Sequence, residues 1–349
     1  MERKSNMELL RIVSMIMIVL HHYADHGGFV FENGEITPNR IFLQAVHLFG
    51  KMGICVFVLI SGYFMVESSF RWKKVWKLIL EVQFYCLVCF AVTVWGGSVE
   101  FTWKRLFMSI FPVSHSMYWF VTTYIILYFL SPYLNIMLHH ITREQHLGLI
   151  SFLLMIWSVL PTFLELDICY SQLGMFLLLY IMAAYVRLYP EREWLKRFGK
   201  MRYFLASYGL IFLTVLFFDL LEYLIPEFSL DMEYFGGQNK ITTFICAFAM
   251  FIAFLNLEVK QNKWINRVAA TTFGVYLLHD NTFISRSLWT EWLDTDQWIR
   301  SPGLLFHLIG ASVCIFCVCA LLDYARSMLL ERPLFSWLEK KHFRLFREQ

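Results

Sequence analysis

Apolar windows long enough to cross a bilayer recur along almost the whole chain, near residues 9–26, 41–66, 75–96, 118–138, 146–164, 171–188, 203–225, 241–257, 268–284 and 304–330. With 58% hydrophobic residues and a mean hydropathy of +0.54, the 349 residues carry too much apolar surface for a soluble domain. The expected fold is therefore an all-α polytopic integral membrane protein. It is read as a bundle of about ten transmembrane helices forming one membrane-embedded domain over residues 1–349. Met1-Glu2-Arg3-Lys4 followed by apolar sequence mimics a signal peptide, but no small-residue cleavage site follows His21-His22-Tyr23, so this is read as a retained first span.

Charge placement sets the expected orientation. An N-terminus inside puts 23 of the 30 Lys and Arg on the cytoplasmic side and 6 outside, leaving Lys51 within a span. Both termini are then cytoplasmic, with a basic tail from about residue 331 that includes Lys340, Lys341, Arg344 and Arg347 at the anionic inner leaflet. Acidic residues Glu227, Asp231, Glu233, Glu291, Asp294 and Asp296 fall in the opposite loops. Trp95, Trp103, Trp119, Trp289, Trp292 and Trp298 lie near the same surface, as an interfacial belt or a sugar-stacking platform. The eight cysteines lie almost wholly in apolar runs, with only Cys169 near an outer loop. Cys86-x2-Cys89 and Cys314-x2-Cys317 have zinc-like spacing without loop ligands, so no disulfide framework and no metal site is expected.

The first span holds the sharpest chemistry. Between Arg11 and His21-His22 the unbroken apolar run is only about a dozen residues, roughly 18 Å of helix, so polar residues must enter a hydrocarbon layer about 30 Å thick. At about 100° per residue Arg11 and His22 fall within roughly 20° of each other, about 16 Å apart along the axis, while His21 points about 80° away. Span nine repeats the rise from Arg267 to His279, so the His22 and His279 imidazoles are expected at similar depth, where they can meet. Lys51 is expected near mid-membrane, with Asp25 and Asp280 as candidate counter-charges. At the inner rim Ser61-Gly62-Tyr63 ends span two, and Arg71, Lys74 and Lys77 recur every three residues at the start of span three; Glu81 is placed to pair with Lys77 or Arg11.

Taken together, these elements resemble the acyltransferase-3 membrane proteins, which O-acylate bacterial polysaccharides and related glycans. The resemblance rests on Arg11 and His22 with ten residues between them, on Phe57-Val58-Leu59-Ile60-Ser61-Gly62-Tyr63, and on Lys74 and Lys77. It also covers Tyr118-Trp119-Phe120-Val121, Tyr128-Phe129-Leu130-Ser131-Pro132 and Phe273-Gly274-Val275-Tyr276-Leu277-Leu278-His279. One departure is that lysines stand where the family often has an arginine pair in span three, which keeps charge but loses bidentate geometry.

The resemblance implies a multi-pass enzyme of the cytoplasmic membrane that moves an acyl group, acetyl foremost, from acyl-CoA to a hydroxyl of a carbohydrate acceptor, with no nucleic-acid partner and no metal. Arg11, Lys74 and Lys77 would hold the CoA phosphates, and Ser61 and Tyr63 would line the thioester channel. His22 would act as general base or acyl carrier, with His279 orienting it or the acceptor. A pantetheine arm of roughly 15–20 Å matches the Arg11–His22 rise. The competing class is a transporter or lipid-linked glycan flippase using the same midplane His, Lys and Asp residues; the lack of an internal repeat and of Gly/Pro-broken span pairs argues against it.

Overall fold

A computed structural model describes residues 4–32, 34–164, 170–190, 192–225 and 234–340. Every regular element among them is helical. In chain order these are α1 (Ser5–His26), α2 (Pro38–His47), α3 (Phe49–Met65), α4 (Trp72–Trp95), α5 (Trp103–Ile110) and α6 (Trp119–His140). They are followed by α7 (Arg143–Leu154), α8 (Leu160–Phe163), α9 (Gln172–Leu188), α10 (Arg192–Phe198), α11 (Met201–Leu224) and α12 (Ile241–Leu255). The last four are α13 (Lys263–Ala269), α14 (Thr272–His279), α15 (Leu304–Arg326) and α16 (Arg332–Lys340).

Seven stretches among the described residues are long and apolar enough to cross a membrane: Ser5–His26, Pro38–Met65, Trp72–Trp95, Trp119–His140, Arg143–Phe163, Met201–Leu224 and Leu304–Leu338. The other three expected spans are shorter helices: α9 of 17 residues, α12 of 15 and α14 of 8. The α9 helix is buried along almost its whole length, so its apolar sequence reflects core packing rather than contact with lipid. By contrast α11 and α15 expose Leu205, Leu213, Phe217, Phe306, Val313 and Leu321, the outward apolar surface that a bilayer covers. The ninth expected window is interrupted at Ala270–Thr271, where the side chains of Thr271 and Thr272 donate to the carbonyls of Val268 and Ala269. Cys169, Glu227, Asp231, Glu233, Lys341, Arg344 and Arg347 lie outside the described residues.

Three local features position the site. First, α1 stops at Gly27, and Gly28 turns the chain away at φ +73°, a conformation that glycine adopts without strain. Second, the expected second span is bent at Leu48 into α2 and α3. The His21 Nδ1 donates to the carbonyl of His47 at 2.6 Å, and its ring fills the space over Gly50, where a Cβ would fall 2.2 Å from His21 Cγ. An imidazole inserted against the helix backbone is a recognised cause of such a kink. Third, Pro132 within α6 has no amide to offer the Tyr128 carbonyl, and the Ser131 hydroxyl donates to that carbonyl instead at 2.8 Å.

The core consists of two apolar clusters. One is centred on α3, α9 and α12, the other on α1, α4, α14 and α15, with Ile54 and Phe120 packed against both. In the first cluster Gly62 permits close contact between α3 and α9, since a Cβ there would lie 2.9 Å from the Tyr180 Cα and 3.1 Å from its carbonyl oxygen. The middle residue of Ser61-Gly62-Tyr63 is therefore a packing residue. Gly62→Val must push α9 away, and overpacking of this kind costs about 1–3 kcal/mol. Thermal unfolding of the purified variant is expected several degrees below the parent, and an unchanged midpoint would contradict the close approach.

The six tryptophans do not form one belt. Trp95, Trp103 and Trp292 are exposed, Trp298 stacks on His307 at 4.6 Å, and Trp289 is wholly buried edge-on to Tyr23. Trp119 lines an internal cavity described below.

Candidate active site

The ends of α1 and α14 bring two imidazoles together. His22 Nδ1 lies 2.9 Å from His279 Nε2, and the rings are 5.0 Å apart. Their protonation follows from the acceptor at the end of the chain. The carbonyl of Val275 can only accept, so at 2.6 Å the His279 Nδ1 must carry the proton it donates. In neutral His279 the Nε2 is then the acceptor and His22 Nδ1 the donor. His22 is left with an unprotonated Nε2, the form in which an imidazole serves as base or nucleophile. His279 is fully buried, whereas His22 remains partly open.

Residues around the pair hold it in place. Tyr118 donates to the Leu277 carbonyl at 2.5 Å and accepts from Asn281 Nδ2 at 2.6 Å, tying α6 to the end of α14. Its neighbours Trp119 and Phe120 face the cavity, which explains a run of three aromatics with different tasks. On α3, a Cβ at Gly53 would lie 2.9 Å from Ile18 Cγ1 and 3.0 Å from the Ser14 carbonyl oxygen, so the glycine brings α1 close. His21 is turned away to the His47 carbonyl, in line with its expected angular offset.

Two cavities lie one above the other along α1. The upper, about 50 Å³, is lined by His22, Asp280, Met15, Ile18, Trp119 and Tyr276 together with Phe57, Phe120 and Phe273. The lower, about 270 Å³, contains Arg11, Ser61, Lys77, Tyr124 and Thr272, and again Phe57, Phe120 and Phe273. The same three aromatic residues thus form the wall common to a cationic chamber and a histidine chamber. Ser61 donates to the Phe57 carbonyl at 2.9 Å, which leaves its oxygen only an acceptor's role in the lower chamber.

Charge pairing at the lower chamber differs from the sequence expectation. Arg11 pairs with Glu8 at 3.0 Å, and Lys77 reaches Glu331 at 2.7 Å rather than Glu81. Glu81 instead takes Arg326 at 2.8 Å, and Arg326 also holds Asp323 at 2.9 Å and Glu331 at 3.0 Å. Asp323 accepts from Tyr85 at 2.7 Å, so a buried charge network clamps α4 against α15 behind Lys77. Sequence reasoning missed Arg326 as its hub; the signal was an Asp and an Arg three apart at the end of an apolar helix.

Lys74 stands over the Tyr128 ring at 5.8 Å, within electrostatic reach of Arg11 and Arg71. Tyr63 is not brought to either chamber. It packs on Phe64 and Phe251, and its hydroxyl accepts from Arg187, which also pairs with Glu67. Lys51 faces His21 and His22, and among the described residues it forms no ion pair with Asp25 or Asp280. Histidines occupy those carboxylates. Two sets, His21 with Asp25 and His47, and His22 with His26 and Asp280, bring nitrogen and oxygen atoms within 4.8 Å of one another. No described cysteine joins them.

The constellation combines a cationic chamber, a shared aromatic wall and an imidazole with an unprotonated nitrogen, built by segments spread from α1 to α14. No curated protein and no solved structure matches the chain significantly. The acyltransferase-3 family model, described as an acyltransferase domain, matches residues 4–324. That span includes every residue of both chambers, and the chain belongs to the acyltransferase-3 family of multi-pass membrane acyltransferases.

Proposed function

We propose that this protein is an O-acyltransferase of the cytoplasmic membrane, moving an acetyl group from acetyl-CoA to a hydroxyl of a cell-envelope glycan. The observation that carries the reading is the pair of chambers sharing Phe57, Phe120 and Phe273, with Arg11 and Lys77 in one and His22 in the other. Acyl-CoA is polyanionic at one end and reactive at the other, about a pantetheine arm away. Its phosphates exchange for Glu8 and Glu331 on Arg11 and Lys77, with Lys74 beside them. The arm threads the aromatic neck, and the small upper chamber favours a short acyl group.

At the thioester, His22 Nε2 has two routes. As base it takes the proton from the acceptor hydroxyl while oxygen attacks the acyl carbon and the carbon–sulfur bond breaks, leaving CoA thiolate. As nucleophile it displaces the thiolate to form acyl-His22, which the hydroxyl then attacks, forming the ester, giving up its proton and restoring neutral imidazole. In both, His279 steadies the proton on His22 Nδ1. The charge bias of the loops supports a cytoplasmic donor side at the Arg11 end of α1.

The direct test is transfer or hydrolysis of labelled acetyl-CoA by purified protein. Turnover is expected for an acyltransferase, and protein that binds but never cleaves the thioester would instead support the transporter reading. In the same assay His279→Ala, which frees His22 to take the other tautomer, is expected to lower turnover about 100-fold with little change in donor KM. Full activity in that variant would remove the tautomer argument.

A further inference from the structure

His26 has no place in the mechanism above, yet it makes the least ordinary contacts in the molecule. Its two ring nitrogens face two different carboxylates: Nδ1 lies 3.2 Å from Asp25 Oδ2 and Nε2 3.5 Å from Asp280 Oδ1. A neutral imidazole carries one ring proton and can donate to only one of them at a time. Both carboxylates continue the line. Asp280 Oδ1 is 3.8 Å from His22 Nδ1, and Asp25 Oδ1 is 3.2 Å from His47 Nε2. Side-chain exposure rises steadily along it, from 13% at His22 through 22% at Asp280 and 33% at His26 to 44% at Asp25. Asp25 and His47 then line a separate polar cavity of about 280 Å³ with Phe29, Phe31, Arg40 and Gln44, beyond the His22 end of α1.

We infer that His22, Asp280, His26 and Asp25 form a proton path leading from the reacting imidazole to this cavity, with His26 as the step that receives on one nitrogen and releases from the other. The inference rests on the acyl-transfer reading and adds to it the fate of the acceptor's proton. When the hydroxyl oxygen bonds to the acyl carbon, its proton goes to His22 Nε2, and the resulting imidazolium releases its Nδ1 proton, until then shared with His279, to Asp280. A proton passes to His26 Nε2, another leaves His26 Nδ1 for Asp25, and one emerges in the cavity. The CoA thiolate takes its proton from water on the donor side, so the products are an ester and a thiol. The alternation of imidazole and carboxylate keeps each link close to hydrogen-bonding range. The remaining groups facing the line are Lys51 and His21 near His22, Tyr276 at Asp280, and His21 and His47 at Asp25.

The test uses full-length protein in nanodiscs and compares the parent with His26→Ala and His26→Asn, each checked for parent-like thermal unfolding. With labelled acetyl-CoA and acceptor, turnover in both variants is expected to fall about 10–100-fold with donor KM unchanged. Added imidazole, which can reach the open end at Asp25, is expected to restore most of the loss in His26→Ala. A merely structural His26 would not be rescued. Turnover within about twofold of the parent, or a loss that imidazole leaves untouched, would overturn the path. Should the parent itself not use acetyl-CoA, the enzyme reading fails separately. The path is then judged by carbethoxylation of His22 with diethyl pyrocarbonate, followed by mass spectrometry. Coupling along the line predicts that Asp25→Asn and His26→Ala each shift the pH midpoint of His22 modification by about half a unit or more. An unchanged midpoint in both would overturn it.

Discussion

Replacing His22 with Ala is expected to lower acyl transfer by about 100- to 10,000-fold, the range spanned by a positioned proton-transfer group. Neither His279 nor His21 can take over. His279 is fully buried with Nδ1 committed to the Val275 carbonyl, and His21 is committed to the carbonyl of His47. The measurement is glycan acetylation in cells together with turnover of purified protein, normalised to the amount in the membrane. Substantial transfer by a well-folded His22→Ala variant would mean that another residue bears the chemistry.

The second large effect is expected at the cationic chamber and should be confined to the donor. Arg11→Gln removes charge-assisted hydrogen bonds worth about 1.5–3 kcal/mol, so donor KM is expected to rise about 10- to 100-fold while acceptor KM stays near the parent value. Because Glu8 is buried, the variant also leaves a carboxylate without its partner, and its thermal stability must be measured alongside. Lys77 is more open and gives the cleaner comparison: Lys77→Ala should weaken donor use, and Lys77→Arg should retain it. Equal losses toward donor and acceptor would count against a phosphate site here.

Periodicity carried the reading of the sequence a long way at this site. Eleven residues from Arg11 to His22 and twelve from Arg267 to His279 suggest imidazoles at similar depth, and the two rings do meet, although the helix behind the second count is broken at Ala270–Thr271. The same arithmetic turns His21 aside. It could also have found His26, one turn beyond His22 on the same face and stacked on it at 4.9 Å. What periodicity does not carry is the choice of partner between distant segments. Lys77 and Glu81 are neighbours on α4, but Glu331 and Arg326, some 250 residues away, divide them between two pairs. The bend at Leu48 and the break before α14 depend on side chains packed across from other helices, so an apolar window alone reads each as one continuous span. Tyr63 shares a motif with Ser61 yet faces Arg187, because residues two apart on a helix diverge by about 200°.

These observations depend on a single geometric claim, that the donor enters at Arg11 and ends at His22. The most direct measurement is an electron cryomicroscopy structure of the protein in nanodiscs with a non-hydrolysable acetyl-CoA analogue. The account predicts phosphate density against Arg11 and Lys77, the pantetheine arm between Phe57, Phe120 and Phe273, and the acyl carbon within attacking distance of His22 Nε2. An analogue bound elsewhere, or an acyl carbon held away from His22 by a closed aromatic neck, would contradict it.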